Sequence, residues 1–165
     1  VRQFLSHQAD VPDGNRQLVA LLAKKSGASY SQLVTRRIMT PIGMHKTVAD
    51  STTGMFESNV DELYRWELGL TAIKAFTTDS TTNVFTPVGG AQSGNALGWR
   101  VDSYRGLTRQ RELGTPDGKR NAFVRFPDRR ASIIILTSSA EADAGAMADR
   151  IADRLLFSRT STKTQ

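Results

Sequence analysis

The chain has 165 residues, enough for one domain that buries a core without help from disulfides or a structural metal. It contains 39% hydrophobic residues, no apolar run long enough to cross a membrane, and no cysteine, which excludes transmembrane helices, disulfide frameworks, thiolate zinc sites and cysteine nucleophiles. The net charge of +6 arises from 22 basic residues scattered among 16 acidic ones, whereas binding a phosphate backbone takes a concentrated stripe, so no nucleic-acid partner is expected.

The amino terminus, VRQFLSHQADVPDG, carries neither a signal pattern nor an initiating methionine, which reads as a chain that begins inside something longer. A helix is predicted to start near Asp13 to Asn15, with Leu18, Val19, Leu21 and Leu22 on one side and Gly27 as its stop. Ser29 with Gln32 forms a capping box for a second helix, in which Leu33, Val34, Ile38 and Met39 recur at helical spacing until Pro41. After an irregular stretch from Ile42 to Glu57, Ser58 with Asp61 signals a third cap. The helix that follows carries Val60, Leu63, Tyr64 and Leu68, with Trp66 broadening its apolar face.

Residues Thr71 to Asn95 are rich in Thr, Ser and Gly and read as connecting loops. The period then changes to that of strands: Ala96 to Ser103, Leu107 to Glu112, Asn121 to Phe126 and Ser132 to Thr137 form an antiparallel meander. Ile133 to Leu136 is apolar on both faces, which predicts a central strand covered on both sides. A closing helix from Glu141 to Phe157 offers Met147, Ile151 and Leu155, with Ala144, Ala148 and Ala152 beside them, for packing on that sheet. The fold class is α+β: an antiparallel sheet with a packed C-terminal helix plus a helical lobe. Residues 1–157 read as a single partial domain, with the helical lobe at about 14–70, a connecting region at 71–95, and the sheet and closing helix at 96–157. A polar tail, 158–165, is expected to be disordered.

The two histidines, His7 and His45, lack the short spacing of metal ligands, so neither metal nor other cofactor is expected. No Gly-x-Ser-x-Gly elbow or phosphate loop occurs, and Gly89, Gly90 and Gly94 are too loosely spaced for a dinucleotide fingerprint. The most distinctive local feature is the turn Gly114, Thr115, Pro116, Asp117, Gly118, whose residues tolerate tight backbone and join two strands.

Three stretches together resemble the β-lactamase-related serine hydrolases, which include class C β-lactamases, penicillin-binding proteins and esterases. Gly14 to Thr47 is similar to the family's helix pair and ends in Pro41, Ile42, Gly43, Met44 and Thr47, like the family's Pro-Leu-Gly-Met-x-x-Thr signature. Met55 to Leu70 resembles the helix that follows it, and Ala96 to Val101, ALGWRV, resembles a strand of the Tyr-Gly-x-Gly-Trp type. GTPDGKRNAFVRFPDRRASIIILTSS and the segment after it resemble the last strands and closing helix.

The resemblance implies an acyl-enzyme hydrolase of amide, β-lactam or ester carbonyls that works through Ser-x-x-Lys, a Tyr-x-Asn element and a Lys-Thr-Gly or His-x-Gly strand. No Ser-x-x-Lys occurs in the chain. The second element falls near Asp10, Val11 and Pro12, none of which can do its work. The third falls on Glu112, Leu113 and Gly114, leaving Glu112 and Gly114 as cleft candidates, and a carboxylate there repels a carboxylate-bearing substrate. The segment alone is therefore expected to be inactive. It is read either as the C-terminal portion of an enzyme whose small-molecule or peptide substrate meets the full-length protein, or as a degenerate, non-catalytic binding or regulatory module. The resemblance also implies a periplasmic or secreted protein, although the chain carries no signal segment. In the family, strands from the amino-terminal side complete the sheet, so this piece alone is expected to expose an edge and to self-associate.

Overall fold

The computed structural model describes residues 13–72, 94–96, 98–115 and 118–158. The chain forms two compact units, Val1–Asp102 and Ser103–Gln165. The expected element at Asp10 to Pro12, His7, most of the connecting region 71–95, Pro116 and Asp117 of the turn, and the tail beyond Ser158 lie outside the described residues.

In the first unit, α1 (Gly14–Ser26) ends at Gly27, whose φ of 67° is the left-handed cap that glycine adopts without a Cβ penalty, and Lys24 and Lys25 in its last turn favour the helix dipole. α2 (Tyr30–Val34) opens with the capping box read from the sequence: the Ser29 hydroxyl accepts the Gln32 N–H and the Gln32 side chain accepts the Ser29 N–H, each at 3.2 Å. The helix then widens into one π turn, Thr35–Met39, closed by Thr40 N–H donating to the Thr35 carbonyl at 2.9 Å. Val34, Met39, Met44 and Ala49 form a buried cluster, with Tyr30, Ile38, Ile42 and Trp66 packed against it.

The stretch from Ile42 to Glu57 is not wholly irregular. It contains a short hairpin, β1 (Val48–Ala49) and β2 (Phe56–Glu57), whose strands are too brief to display a period of two. Asp50 shapes its turn by accepting the N–H groups of Thr52 and Thr53, both at 2.7 Å. α3 (Val60–Ala72) follows, and its cap is Asn59 rather than Ser58: the Asn59 side chain accepts the Glu62 N–H at 3.0 Å, while Ser58 bonds Thr47. Only part of its expected apolar face is turned inward, through Trp66. Val60, Tyr64 and Leu68 are each about half exposed, whereas Glu62, Gly69 and Leu70 are buried. Gly69 makes this orientation possible, because a Cβ there would stand 3.0 Å from the Ile42 side chain.

The sheet runs in the order β3 (Asn95–Ala96), β4 (Trp99–Tyr104), β5 (Leu107–Gly114), β6 (Asn121–Phe126) and β7 (Ala131–Leu136). The single strand expected over Ala96 to Ser103 is thus a tight β3–β4 hairpin, with Gly98 at φ 88° in the bend. In the second unit, Gly114 pairs Asn121, Glu112 pairs Phe123 and Gln110 pairs Arg125, while Phe123 pairs Ile134 and Asn121 pairs Leu136. A 3-10 turn, Pro127–Arg129, carries β6 into β7, and Asp128 accepts the Thr108 N–H at 2.7 Å, tying that turn to the start of β5.

α4 (Ala144–Leu156) covers one face of β6 and β7, capped by the Asp143 side chain, which accepts the Ala146 N–H at 2.8 Å. The alanine side of the expected face is the one that packs, and the bulky stripe beside it is turned outward. Ala144, Ala148 and Ala152 are buried against Ala122, Val124, Phe126 and Ile133, while Ile151 and Leu155 are 38% and 71% exposed. The sheet already supplies bulk at this interface, so the fully buried helix positions are methyl-sized, with Leu156 packed beside them at the helix end. Among the described residues β7 ends the sheet order, with Ile133 buried on the helix face.

Candidate functional site

Alternation along β5 decides which way each candidate points. Leu113 lies on the helix side, where a Cβ built on Gly145 of α4 would come within 3.6 Å of it. Glu112 and Gly114 therefore share the opposite face, about 6–7 Å apart along the strand. Glu112 is exposed, with Phe123 and then Ile134 beside it in the same row, and Gly114 is followed in its row by Asn121. The Asn121 side chain accepts the Thr137 N–H at 3.2 Å, fixing the end of β7 against the start of β6. Gly118, at φ 75°, closes the described part of the turn, and a Cβ there would approach Ala140 at 3.7 Å.

One row further along the same face is a pair that sequence reasoning missed. Gln110 is fully buried and accepts a hydrogen bond from Arg125 at 2.8 Å, and Arg125 itself is only 8% exposed. The signal was present, since an arginine between apolar residues in Ala122 to Phe126 breaks the pattern of an otherwise buried strand. The candidate face thus presents a carboxylate, an aromatic ring and an almost buried guanidinium in adjacent rows.

The other face is purely an anchoring surface. Arg109 pairs with Asp149 at 2.7 Å and lies 4.6 Å over the Tyr104 ring. Tyr104 donates to Asp153 at 2.9 Å, and Arg105 meets the same carboxylate at 3.1 Å and the Phe157 ring at 5.4 Å. Burial above all, then the hydrogen bond to Asp153 and the charges of Asp149 and Asp153, push the Tyr104 hydroxyl above its ordinary titration range.

In the first unit, the Pro41 to Thr47 signature proves to be a structural joint. Gly43 takes φ 75° and its carbonyl accepts from Arg65 at 2.6 Å; a Cβ there would stand 2.9 Å from that guanidinium. Met44 enters the core. The Thr47 hydroxyl meets Ser58 at 2.7 Å and donates to Glu62 at 2.5 Å, and Glu62 also accepts the Lys46 N–H at 2.7 Å. Burial by itself raises the Glu62 carboxyl, but the Thr47 hydroxyl and the N–H groups of Lys46, Thr47 and His45 outweigh it and hold the group below the usual carboxylate range. His45 is exposed. Among the described residues, no group of three or more His, Asp or Glu could hold a metal ion, and no helix is long and apolar enough to cross a membrane.

No family model and no curated protein matches the sequence. Solved structures do match the fold. The octameric penicillin-binding protein homologue from Pyrococcus abyssi superposes over 87% of this chain with a TM-score of 0.73 at 14% identity. The D-amino acid amidase from Ochrobactrum anthropi SV3 covers 87% with a TM-score of 0.67 at 16% identity. The β-lactamase/D-alanine carboxypeptidase from Yersinia pestis covers 84% with a TM-score of 0.65 at 14% identity. The fold is the α+β, β-lactamase-like fold of these structures. The chain spans only 41%, 56% and 51% of the lengths of those three structures, a coverage that fits the carboxy-terminal part of the β-lactamase-like fold.

Proposed function

We propose that the chain is the C-terminal portion of a serine hydrolase that acts on amide, β-lactam or ester carbonyls through an acyl-enzyme, with the nucleophile outside this segment. The observation that carries this reading is the likeness to a penicillin-binding protein homologue, an amidase and a β-lactamase/carboxypeptidase over more than four-fifths of the chain. The chain itself contributes the strand Glu112–Gly114 beside β6, and it has no Ser-x-x-Lys with which to form an acyl-enzyme.

Glu112 sets the substrate class within this reading. An exposed carboxylate at the position where the family places a base or cation disfavours a substrate carboxylate, and favours neutral esters or substrates that bear an amine. A second reading, a degenerate family member that binds or regulates without turnover, is favoured by that same replacement.

The intact mass of the polypeptide from its native source, set against 18.1 kDa, begins the test. A heavier species that hydrolyses a chromogenic ester or β-lactam, and stops when its Ser-x-x-Lys serine is replaced, supports the enzyme. A heavier species without that motif and without turnover leaves the binding module.

A further inference from the structure

β5 carries a near-repeat of two residues, Arg109–Gln110 followed by Arg111–Glu112, and its period is that of the strand itself. Arg109 and Arg111 therefore belong to the helix face, and Gln110 and Glu112 to the other. A slip of one residue would put every side chain on the wrong face, whereas a slip of two would not. Moved two residues along β6, Glu112 would stand opposite Arg125, where Gln110 stands now, and Arg111 would follow Arg109 towards Asp149. Alternation thus leaves two registers to choose between.

We infer that Gln110 is a positioning residue, which holds β5 in the observed register and so sets where Glu112 and Gly114 stand on the candidate face. Its side chain is fully buried, and its oxygen accepts from Nη1 of Arg125 at 2.8 Å. A hydrogen bond from a charged group in so dry a place is strong, and removing its acceptor costs more than the bond is worth in water. Without the Gln110 oxygen, the next acceptor on that face of β5 is the Glu112 carboxylate. It comes squarely opposite Arg125 only when the strand moves by two residues, about 6–7 Å. Such a move displaces the Glu112–Gly114 segment, a consequence for substrate that rests on the serine-hydrolase proposal, while the register is a property of this chain alone. The Thr108 N–H on Asp128 favours the same register, so loss of Gln110 shifts the balance between registers without exchanging them outright.

The full chain has no cysteine, so an introduced pair reports the register directly. Gly114→Cys with Asn121→Cys joins residues opposed in the observed register. Gly114→Cys with Phe123→Cys joins residues opposed only after the slip; before it they are diagonal, about 7–8 Å apart and beyond the usual reach of a disulfide. With Gln110 in place, intact mass after mild oxidation should show the first pair closed and the second largely open. Gln110→Met should raise closure of the second pair relative to the first by at least about tenfold. Gln110→Glu, which keeps an acceptor in place, should leave the ratio as it was. Adding Glu112→Ala to Gln110→Met should bring the ratio back down, because no acceptor then stands two residues along, whereas a strand that had merely loosened would keep the raised ratio. Circular dichroism establishes that each variant is folded; if Gln110→Met is not, Gln110→Leu carries the same comparison. An unchanged ratio in the folded variant, or a rise that Glu112→Ala does not reverse, overturns the inference. None of these measurements depends on turnover, so the register and the proposed enzyme stand or fall separately.

Discussion

Glu62 on the first turn of α3 accepts the hydroxyl of Thr47, fifteen residues earlier in the chain, at 2.5 Å, and both side chains are buried. The contact closes the joint between the Pro41–Thr47 segment and the helix after it. Thr47→Val keeps the shape but removes a donor from the buried Glu62 carboxylate and a partner from Ser58. The expected loss is about 1–3 kcal/mol in chemical denaturation, with the m-value unchanged.

The same carboxylate fixes the sign of the acid response. Its titration lies lower in the folded chain than in the unfolded one, so the stability it contributes is fully present above the ordinary carboxylate value of about 4.3 and is lost as pH falls through the lower folded value. Asp50, held down by the N–H groups of Thr53 and then Thr52, acts in the same sense. Melting temperatures measured from about pH 7 to about pH 2.5 should fall below roughly pH 4.3, and Glu62→Gln should give a shallower acid limb.

Opposite faces of α4 should respond in opposite ways. Ala148 is fully buried against the sheet, so Ala148→Leu overpacks the interface and costs about 1–3 kcal/mol. Leu155 is 71% exposed, and Leu155→Ala should stay within about 0.5 kcal/mol. Equal losses from both would mean that the helix packs through its bulky stripe.

Arg109 is the least exposed member of the anchoring surface, with its side chain 8% accessible beside Asp149. Arg109→Met keeps the aliphatic contact with Tyr104 but strands the partner carboxylate, for an expected loss of about 1.5–3 kcal/mol. Asp149→Asn, which retains a hydrogen-bonding oxygen on the more open partner, should cost less.

Glu112 separates recognition from stability. Being exposed, Glu112→Lys should leave the melting temperature of the chain nearly unchanged. If the chain belongs to the longer, active polypeptide proposed above, the ratio of its kcat/KM for an anionic over a neutral ester should rise by roughly tenfold or more, since the sign of the local charge reverses. An unchanged ratio removes Glu112 from substrate recognition.

Features written in local chemistry were legible in the sequence. The Gly27 stop, the Ser29–Gln32 capping box and the strand Asn121–Phe126 were all readable from a few consecutive residues. The antiparallel order of the last strands followed from their short turns. Helix orientation was legible only in part: the alanines of α4 and Trp66 of α3 pack as expected, whereas Ile151 and Leu155, and Val60, Tyr64 and Leu68, face outward, and Glu62, Gly69 and Leu70 are buried in their stead. Of the candidate site, the placement of Glu112 and Gly114 on one face followed from alternation, whereas the buried Gln110–Arg125 pair depended on cross-strand register.

α4 holds β5 from behind at two separated points, Leu113 beside Gly145 and Arg109 against Asp149. A slip of β5 by a single residue would turn both side chains away from the helix together, so the strand cannot drift piecemeal. The face that bears Glu112 is therefore set by a lock on its reverse side, and a change of its pairing would require the closing helix to lift off first.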